Sequence, residues 1–411
     1  MNVILIFIMS FFWLLLVYYS LVTLAGVTYR IRKRPQAEMA SYPSVSVLIP
    51  AHNEGVVMTD TLTAMSRLSY PGELQVFLLD DQSSDDTGEI GRSFAEAFSR
   101  IHYIAVPDGS PKGKSRVLNY GLSITDTEYF VVFDADNQPE PDAVKRLVEK
   151  AETTDRAAGA VGYVKTRNAD TNWLTRMITL EFQVFQLLMQ CGRWQMMKTG
   201  SLAGTNMLLR RSVVEDIGGY DMNALAEDAE LTIRLTAAGW LLPVEPESRT
   251  WEQEPETLRT FIKQRTRWLI GNLYLLEKVF FTKTFWKKRA FYHSIQHVTV
   301  YLFFAVLLLF SHLFFIGSLF DLFEPVFAAP VLMLWFMSYI VYTSQLIGAL
   351  VIDRTVTPVN VLTALIMYFT YAQLFVLLLG RSAAIYLWKR LIKKQVIGWD
   401  KTRRFKNRPV A

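Results

Sequence analysis

The chain has a single cysteine, Cys191, among its 411 residues. One thiol excludes an intrachain disulfide and any cysteine-based metal cluster. It falls in the largely apolar run 185–191 and reads as a packed thiol. Formal charge is also missing from long parts of the chain. No Asp, Glu, Lys or Arg occurs in 2–29, 294–320, 325–352 or 355–380. Each of these runs is long enough to cross a hydrocarbon core of roughly 30 Å as a helix. They account for a hydrophobic content of 51% and a mean hydropathy of +0.19, both high for a soluble domain. The first run has no basic region before it and no small-residue cleavage site after it, so it reads as a retained anchor and not as a signal peptide. A strong basic excess is absent too: the net charge is +5, and the Lys and Arg residues cluster beside the apolar runs. That pattern is membrane flanking and leaves no nucleic-acid partner to expect. Internal repeats and low-complexity segments are absent.

Basic residues orient the chain. Arg30, Arg32, Lys33 and Arg34 follow the first run at once, and Lys287, Lys288 and Arg289 precede the second. Positive flanks stay in the cytoplasm, which puts the N-terminus outside and residues 30–290 inside. The expected organisation is a transmembrane anchor over 1–29, a cytoplasmic domain over 30–290 and two transmembrane helices over 291–352. Residues 353–392 then form an interfacial or re-entrant helix, broken near Gly380, or a further span. A basic cytoplasmic tail covers 393–411. Two rules conflict here. Apolar length counts four spans and would put the C-terminus outside. The tail carries Lys393, Lys394, Lys401, Arg403, Arg404, Lys406 and Arg408, which the positive-inside rule keeps in the cytoplasm. The loop 321–324 has Asp321 and Glu324 and no base, as an outside loop should. The tail decides for the interfacial reading.

The domain between the basic clusters alternates strands and helices. Apolar runs at 45–49, 74–79, 101–106 and 129–133 predict strands. Helical spacing appears over 59–68 and over 87–100, with Ile90, Phe94, Ala97 and Phe98 on one side, and a short helix ends at 117–121. This spacing predicts an α/β domain with a mostly parallel sheet. Ligands in such sheets lie off the carboxyl ends of the strands. Asp80 and Asp81 follow one strand there, and Asp134 and Asp136 follow another.

These residue types suit a nucleoside diphosphate and a metal ion. Hard divalent cations take oxygen ligands, so Asp134 and Asp136 form a candidate pair. The alternative is that Asp134 and Asn137 cap a turn. Asp80 and Asp81 either accept hydrogen bonds from a base or ribose or serve a turn themselves. Lys114, in the loop sequence Lys112-Gly113-Lys114, has the reach for phosphate. Asp228 is a candidate general base whose pKa its acidic neighbours would raise; alternatively it is an acidic first turn favoured by the helix dipole. Arg267 offers a bidentate fork for phosphate. Trp268 offers a flat face to a sugar ring, or an anchor at the membrane interface.

Order and spacing narrow these choices. The strings Pro50-Ala51-His52-Asn53-Glu54, Asp80-Asp81-Gln82-Ser83-Ser84-Asp85, Lys112-Gly113-Lys114-Ser115-Arg116-Val117-Leu118-Asn119, Asp134-Ala135-Asp136, Ala203-Gly204-Thr205-Asn206, Glu227-Asp228 and Gln264-Arg265-Thr266-Arg267-Trp268 occur in that sequence. Together with the apolar flanks they resemble the membrane-integrated family 2 glycosyltransferases, the group of cellulose, hyaluronan and poly-N-acetylglucosamine synthases. The resemblance implies a glycosyltransferase A-type domain for nucleotide-diphospho-sugars, inserted between transmembrane helices. It implies that Ala51, Glu54, Asp80, Asp81, Lys114, Asp134, Gln264 and Arg267 bind the donor, and that Asp134 and Asp136 hold Mg²⁺ or Mn²⁺. Asp228 would be the catalytic base. Gly204, Thr205 and Trp268 would meet the acceptor. The tail residues Trp399, Thr402 and Arg403 loosely resemble a hyaluronan synthase tail motif that closes over the bound donor.

The implied activity is processive and inverting. A UDP-activated hexose or N-acetylhexosamine is added to a growing polysaccharide and the polymer is moved across a bacterial cell membrane, with accessory membrane proteins as further partners. Ala51 stands where relatives often carry a hydroxyl residue. The Gly204-Thr205-Asn206 loop is not that of cellulose synthases, which argues against glucose polymerisation. Length and tail look most like the bacterial poly-N-acetylglucosamine synthases. The rival readings are a single-addition transferase acting on a membrane lipid and a catalytically silent nucleotide-sugar sensor. A sensor has no use for a base at Asp228.

Overall fold

The apolar runs of the first half pair as parallel strands. In the computed structural model, which describes residues 2–32, 39–320, 322 and 328–392, β1 is Val45–Ala51, β2 Leu74–Asp80, β3 Ile101–Ala105 and β4 Tyr129–Val132. β1 pairs with β2 along its whole length, Val45 opposite Leu74 and Ala51 opposite Asp80. On its other side β1 pairs with β4, Val45 opposite Tyr129. β1 and β4 are almost entirely buried, because helices cover both faces of the sheet, and a strand covered on both faces reads as a continuous apolar run. One core contains Val47, Ile49, Met58, Leu62, Phe133 and Leu147. The other contains Leu48, Leu79, Leu118, Phe130, Leu209 and Leu231.

The remaining strands are β5 (Gln138–Pro139), β6 (Gly159–Thr166), β7 (Met207–Arg210) and β8 (Val244–Glu252). The sheet order is β3-β2-β1-β4-β7-β6-β8-β5. Four of the seven pairings are parallel, and the three antiparallel ones all lie in the half beyond β4, which keeps the sheet mostly parallel. β1 leads to β2 on one side and has β4 on the other, so the crevice between β1 and β4 is the topological switch point where ligands bind.

The helix expected over 59–68 is Gly55–Ser66, because Asp85 accepts the Gly55 N–H at 3.0 Å and starts the helix earlier. Only half of the stripe expected over 87–100 is used. Ile90 and Phe94 pack on the core, whereas the helix ends at Ala97 and both Ala97 and Phe98 are exposed.

Four helices are long and apolar enough to cross a membrane by length and composition: Val3–Ile31, Ala290–Leu313, Val331–Asp353 and Tyr371–Arg390. The first is locked to the domain. An ideal Cβ on Gly26 would lie 2.2 Å from the Leu188 carbonyl oxygen, and one on Gly192 would lie 2.0 Å from that of Val22. Tyr29 donates to the Val244 carbonyl at 2.6 Å, and Arg30 pairs with Glu247 at 2.6 Å.

The break expected near Gly380 is elsewhere. Gly380 lies inside the helix Tyr371–Leu387, and the chain turns between Met367 and Tyr371. An isolated glycine costs a helix only about 1 kcal/mol, and nothing crowds Gly380. At the turn, Phe369 and Thr370 bond back three residues, and the rings of Tyr368 and Phe369 pack on Tyr339 at 5.7 and 5.3 Å. Helix Tyr371–Leu387 runs beside helix Leu258–Phe281. Tyr371 meets Phe261 at one end, and Tyr386 and Arg390 both bond Glu277 at the other. Trp399, Thr402 and Arg403 lie outside the described residues.

Candidate active site

A cavity of about 970 Å³ opens at the switch point and continues between the apolar helices. The end of β1 supplies Pro50, Ala51, His52 and Glu54 to its wall. The end of β2 divides its two carboxylates. Asp80 accepts from the Ser83 N–H at 3.0 Å and the Tyr103 hydroxyl at 2.9 Å, so it holds the turn and does not line the cavity. Asp81 does line it, and is ion-paired with Arg116.

β4 ends at Val132, and residues 134–137 form a turn. Strand alternation has stopped by then, so Asp134 and Asp136 do not face the same way. Asp134 faces the cavity. Asp136, 2% exposed, lies behind it, accepts the Gln253 N–H at 3.3 Å and is not part of the cavity wall. Thr205 organises this turn: it accepts the Asp134 N–H at 3.0 Å and donates to Asn137 Oδ1 at 2.6 Å. Its hydroxyl is therefore already engaged with protein, although the residue borders the cavity.

Lys114 lies at the centre. Its Nζ donates to Asp134 Oδ1 and to the Gly204 carbonyl, both at 2.6 Å, and lies 3.4 Å from Glu227 Oε1. Burial works against its charge, but Asp134, Glu227 and Asp228 outweigh burial and hold the ammonium protonated above its usual range. Among the described residues, no group of three or more His, Cys, Asp or Glu could enclose a metal ion alone. The donor set still fits a hard cation of the kind that takes one or two carboxylates and completes its shell with phosphate oxygens and water.

Asp228 lies in the first turn of the helix Glu227–Ala238 and accepts the Ala229 N–H at 2.8 Å. It is open to the cavity on one side and otherwise enclosed. Burial raises its pKa first and the Glu227 charge raises it further, against the Ala229 N–H and Lys114. The helix-start role and a poised carboxylate thus coexist in one residue. Gly204, at φ +81°, brings its backbone close: an ideal Cβ there would lie 3.5 Å from Asp228 Oδ2.

Gln264, Arg267 and Trp268 reach the cavity from helix Leu258–Phe281, where positions three and four apart share a face. The Gln264 side-chain oxygen is buried and has no hydrogen-bond partner among the described residues. Arg265 stacks 4.3 Å from the Trp268 ring and bonds Glu181 at 2.5 Å, and Tyr371 donates to the same carboxylate at 2.5 Å. Glu181 and Tyr371 form a support that motif reading missed. A signal was present: Glu181 is the sole acid between Asp170 and Glu215. Equally unforeseen is the membrane-side wall, where Tyr18, Tyr19, Arg193, His293, Tyr301 and Gln345 line the cavity.

Residues 43–271 match the family described as glycosyltransferase like family 2. A probable glycosyltransferase of Bacillus subtilis, YdaM, is 36% identical over 409 residues, covering 97% of this chain and 96% of its own. The poly-beta-1,6-N-acetyl-D-glucosamine synthase of Staphylococcus aureus is 26% identical over 274 residues, covering 67% of this chain and 65% of its own. Among solved structures, the mannosyltransferase PcManGT of Pyrobaculum calidifontis, in complex with GDP-Man and Mn²⁺, superposes with a TM-score of 0.56 at 19% identity, over 84% of this chain and 98% of that one. The fold is therefore of the glycosyltransferase A type, with apolar helices on both sides of the domain.

Proposed function

The chain belongs to glycosyltransferase family 2, and from that premise we propose that it polymerises a UDP-activated hexose or N-acetylhexosamine at the membrane, processively and with inversion, and passes the polymer between its helices. One observation carries this reading. The cavity runs without a break from Ala51 and Asp81, past Asp228 and Trp268, to Tyr301 and Tyr342 between the apolar helices. A donor site, a base and an exit path share one wall. The likeness to a poly-N-acetylglucosamine synthase supports a polysaccharide product.

Asp81, Ala51 and Glu54 hold the nucleoside in this scheme, and Lys114, Gln264 and Arg267 hold the diphosphate. Asp80 contributes by fixing the turn that aims Asp81. An acceptor hydroxyl attacks the anomeric carbon from the side of Asp228, which takes its proton; the new C–O bond forms as the bond to the diphosphate oxygen breaks. Gly204 leaves room beside Asp228, and Trp268 gives the acceptor ring a face. Mg²⁺ or Mn²⁺, held by Asp134, would neutralise the leaving diphosphate, with Asp136 behind the turn supporting it; the Mn²⁺ in PcManGT is consistent with this. We place residues 30–290 in the cytoplasm from the flanking basic residues. The alignment of helix Tyr371–Leu387 along helix Leu258–Phe281 supports an interfacial position for it.

The test is to supply the membrane-embedded full chain with a panel of radiolabelled nucleotide sugars and to size the product. A long polymer from one UDP-sugar is expected. A product carrying one added sugar on lipid would overturn the polymerising reading.

A further inference from the structure

Arg193 is a charged group in a place where charge is costly. It is 5% exposed and lies at the membrane-side end of the cavity. Gly192, its neighbour, abuts the backbone of Val22 in the first apolar helix. Val22 lies eight residues before Arg30, about 12 Å along a helix axis, so Arg193 sits well inside the apolar layer. Its guanidinium donates to Gln296 Oε1 at 2.5 Å and to Gln190 Oε1 at 3.5 Å, and its Nε has no partner among the described residues. Its titratable neighbours are Tyr18, Tyr19, Tyr301 and His293, with no carboxylate among them. The other buried arginine of this cavity, Arg265, differs: Glu181 balances it at 2.5 Å.

Beside Arg193 lies His293, 8% exposed, which also lines the cavity. Its Nε2 has no partner either. Both residues line the cavity, and each carries a buried nitrogen with no partner among the described residues. An uncompensated buried ion costs several kcal/mol, and a neutral glycan would leave that cost in place. An oxyanion in the cavity beside Arg193 would offset it.

We propose that Arg193 and His293 form a binding site for an oxyanion, a phosphate group carried by the acceptor, at the membrane-side end of the catalytic cavity. The proposal rests on the reading of this cavity as the transfer site. It names the class of acceptor that reading leaves open: a molecule whose phosphate docks near Arg193 while its sugar or hydroxyl end reaches Asp228. The phosphate could be a lipid headgroup or a free anion, and the two are separated by experiment.

The full chain in nanodiscs of zwitterionic lipid is titrated with dodecyl phosphate, inorganic phosphate and dodecyl glucoside, with binding read from thermal unfolding and tryptophan fluorescence. UDP binding is measured in parallel, as a check on folding at the far end of the cavity. Dodecyl phosphate should stabilise the wild type, and Arg193→Gln should weaken that binding about tenfold to a hundredfold, the scale of one charged hydrogen-bonded contact. Arg193→Lys should recover part of it. Should Arg193→Gln lose UDP binding, His293→Gln serves instead, with a several-fold loss expected. Binding of dodecyl phosphate but not inorganic phosphate assigns a lipid headgroup; binding of both assigns phosphate itself. Equal affinity for dodecyl phosphate and dodecyl glucoside, or equal affinity in wild type and Arg193→Gln, overturns the proposal. None of these readouts needs turnover, so a chain that binds the anion yet makes no polymer refutes the polymerising reading alone.

Discussion

Lys114 Nζ and Asp134 Oδ1 lie 2.6 Å apart at the switch point of the sheet. In the proposed scheme the same carboxylate would hold the metal and the lysine would bind the diphosphate. The ion pair balances the charge of Asp134, and in that scheme Lys114 would turn from it to a donor phosphate.

Metal dependence follows from this pairing. One ammonium and Arg267 are too little positive charge for a leaving diphosphate. Excess chelator should abolish transfer, and added Mg²⁺ or Mn²⁺ should restore it. Asp134→Asn should lower kcat by about a hundredfold, the scale seen when one electrostatic stabiliser is removed. Full activity in excess chelator would sink the metal role of Asp134.

Asp228→Asn should leave UDP binding intact and slow transfer by ~10²-fold or more, the usual contribution of a general base. Burial and Glu227 push the Asp228 carboxyl up to about 7. A base works deprotonated, so kcat/KM should fall as pH drops below neutrality and level off above it. A rate flat down to pH 5, or an Asp228→Asn variant with near-normal turnover at saturating donor, would remove the assignment.

Glu181→Gln should destabilise the protein. Arg265 would lose a charged hydrogen bond while remaining buried, and because the Glu181 side chain is 39% exposed the cost should be about 1–3 kcal/mol. Tyr371→Phe removes one hydrogen bond to the same carboxylate and should cost about 1–3 kcal/mol. Unfolding in detergent, followed by tryptophan fluorescence, measures both. A Glu181→Gln variant as stable as wild type would mean that Arg265 is balanced from elsewhere.

Topology is tested in intact cells with Cys191 replaced by Ala. A cysteine at Leu322 should react with a membrane-impermeant thiol reagent from outside. A cysteine at Phe405 should not. Labelling at 405 would turn helix Tyr371–Leu387 into a full span and move the basic tail outside.

Parts of this architecture are legible in the residues, and parts depend on packing. Strands β1, β2 and β4 could be read because burial makes each a largely apolar run bounded by Pro50, Asp80 or Asp134, and the edge strand β3 by its short run Ile101–Ala105. β5 has only two residues, and β6 to β8 pair partly antiparallel around β4, which no local pattern announces. Asp81, Lys114, Asp134, Asp228, Gln264, Arg267 and Trp268 do converge on one cavity. Asp80 and Asp136 sit beside their partners in sequence yet face away, because a turn of one residue more or less reverses the side to which a carboxylate points. Arg193 and His293, a hundred residues apart, belong to no motif. They come to one cavity wall only through the tertiary fold.

The crossing at Gly26 and Gly192 has a consequence for how the chain can be handled. A helix that only tethered the domain could be cut away and a soluble enzyme recovered. Here the first apolar helix is pressed backbone to backbone against the segment that carries Glu181, Gln186 and Arg193, and it contributes Tyr18 and Tyr19 to the cavity wall. Removing it would strip one side from the reaction chamber. The lipid-facing helix is therefore one of the walls that define the substrate's space, and work on this protein has to keep it in place.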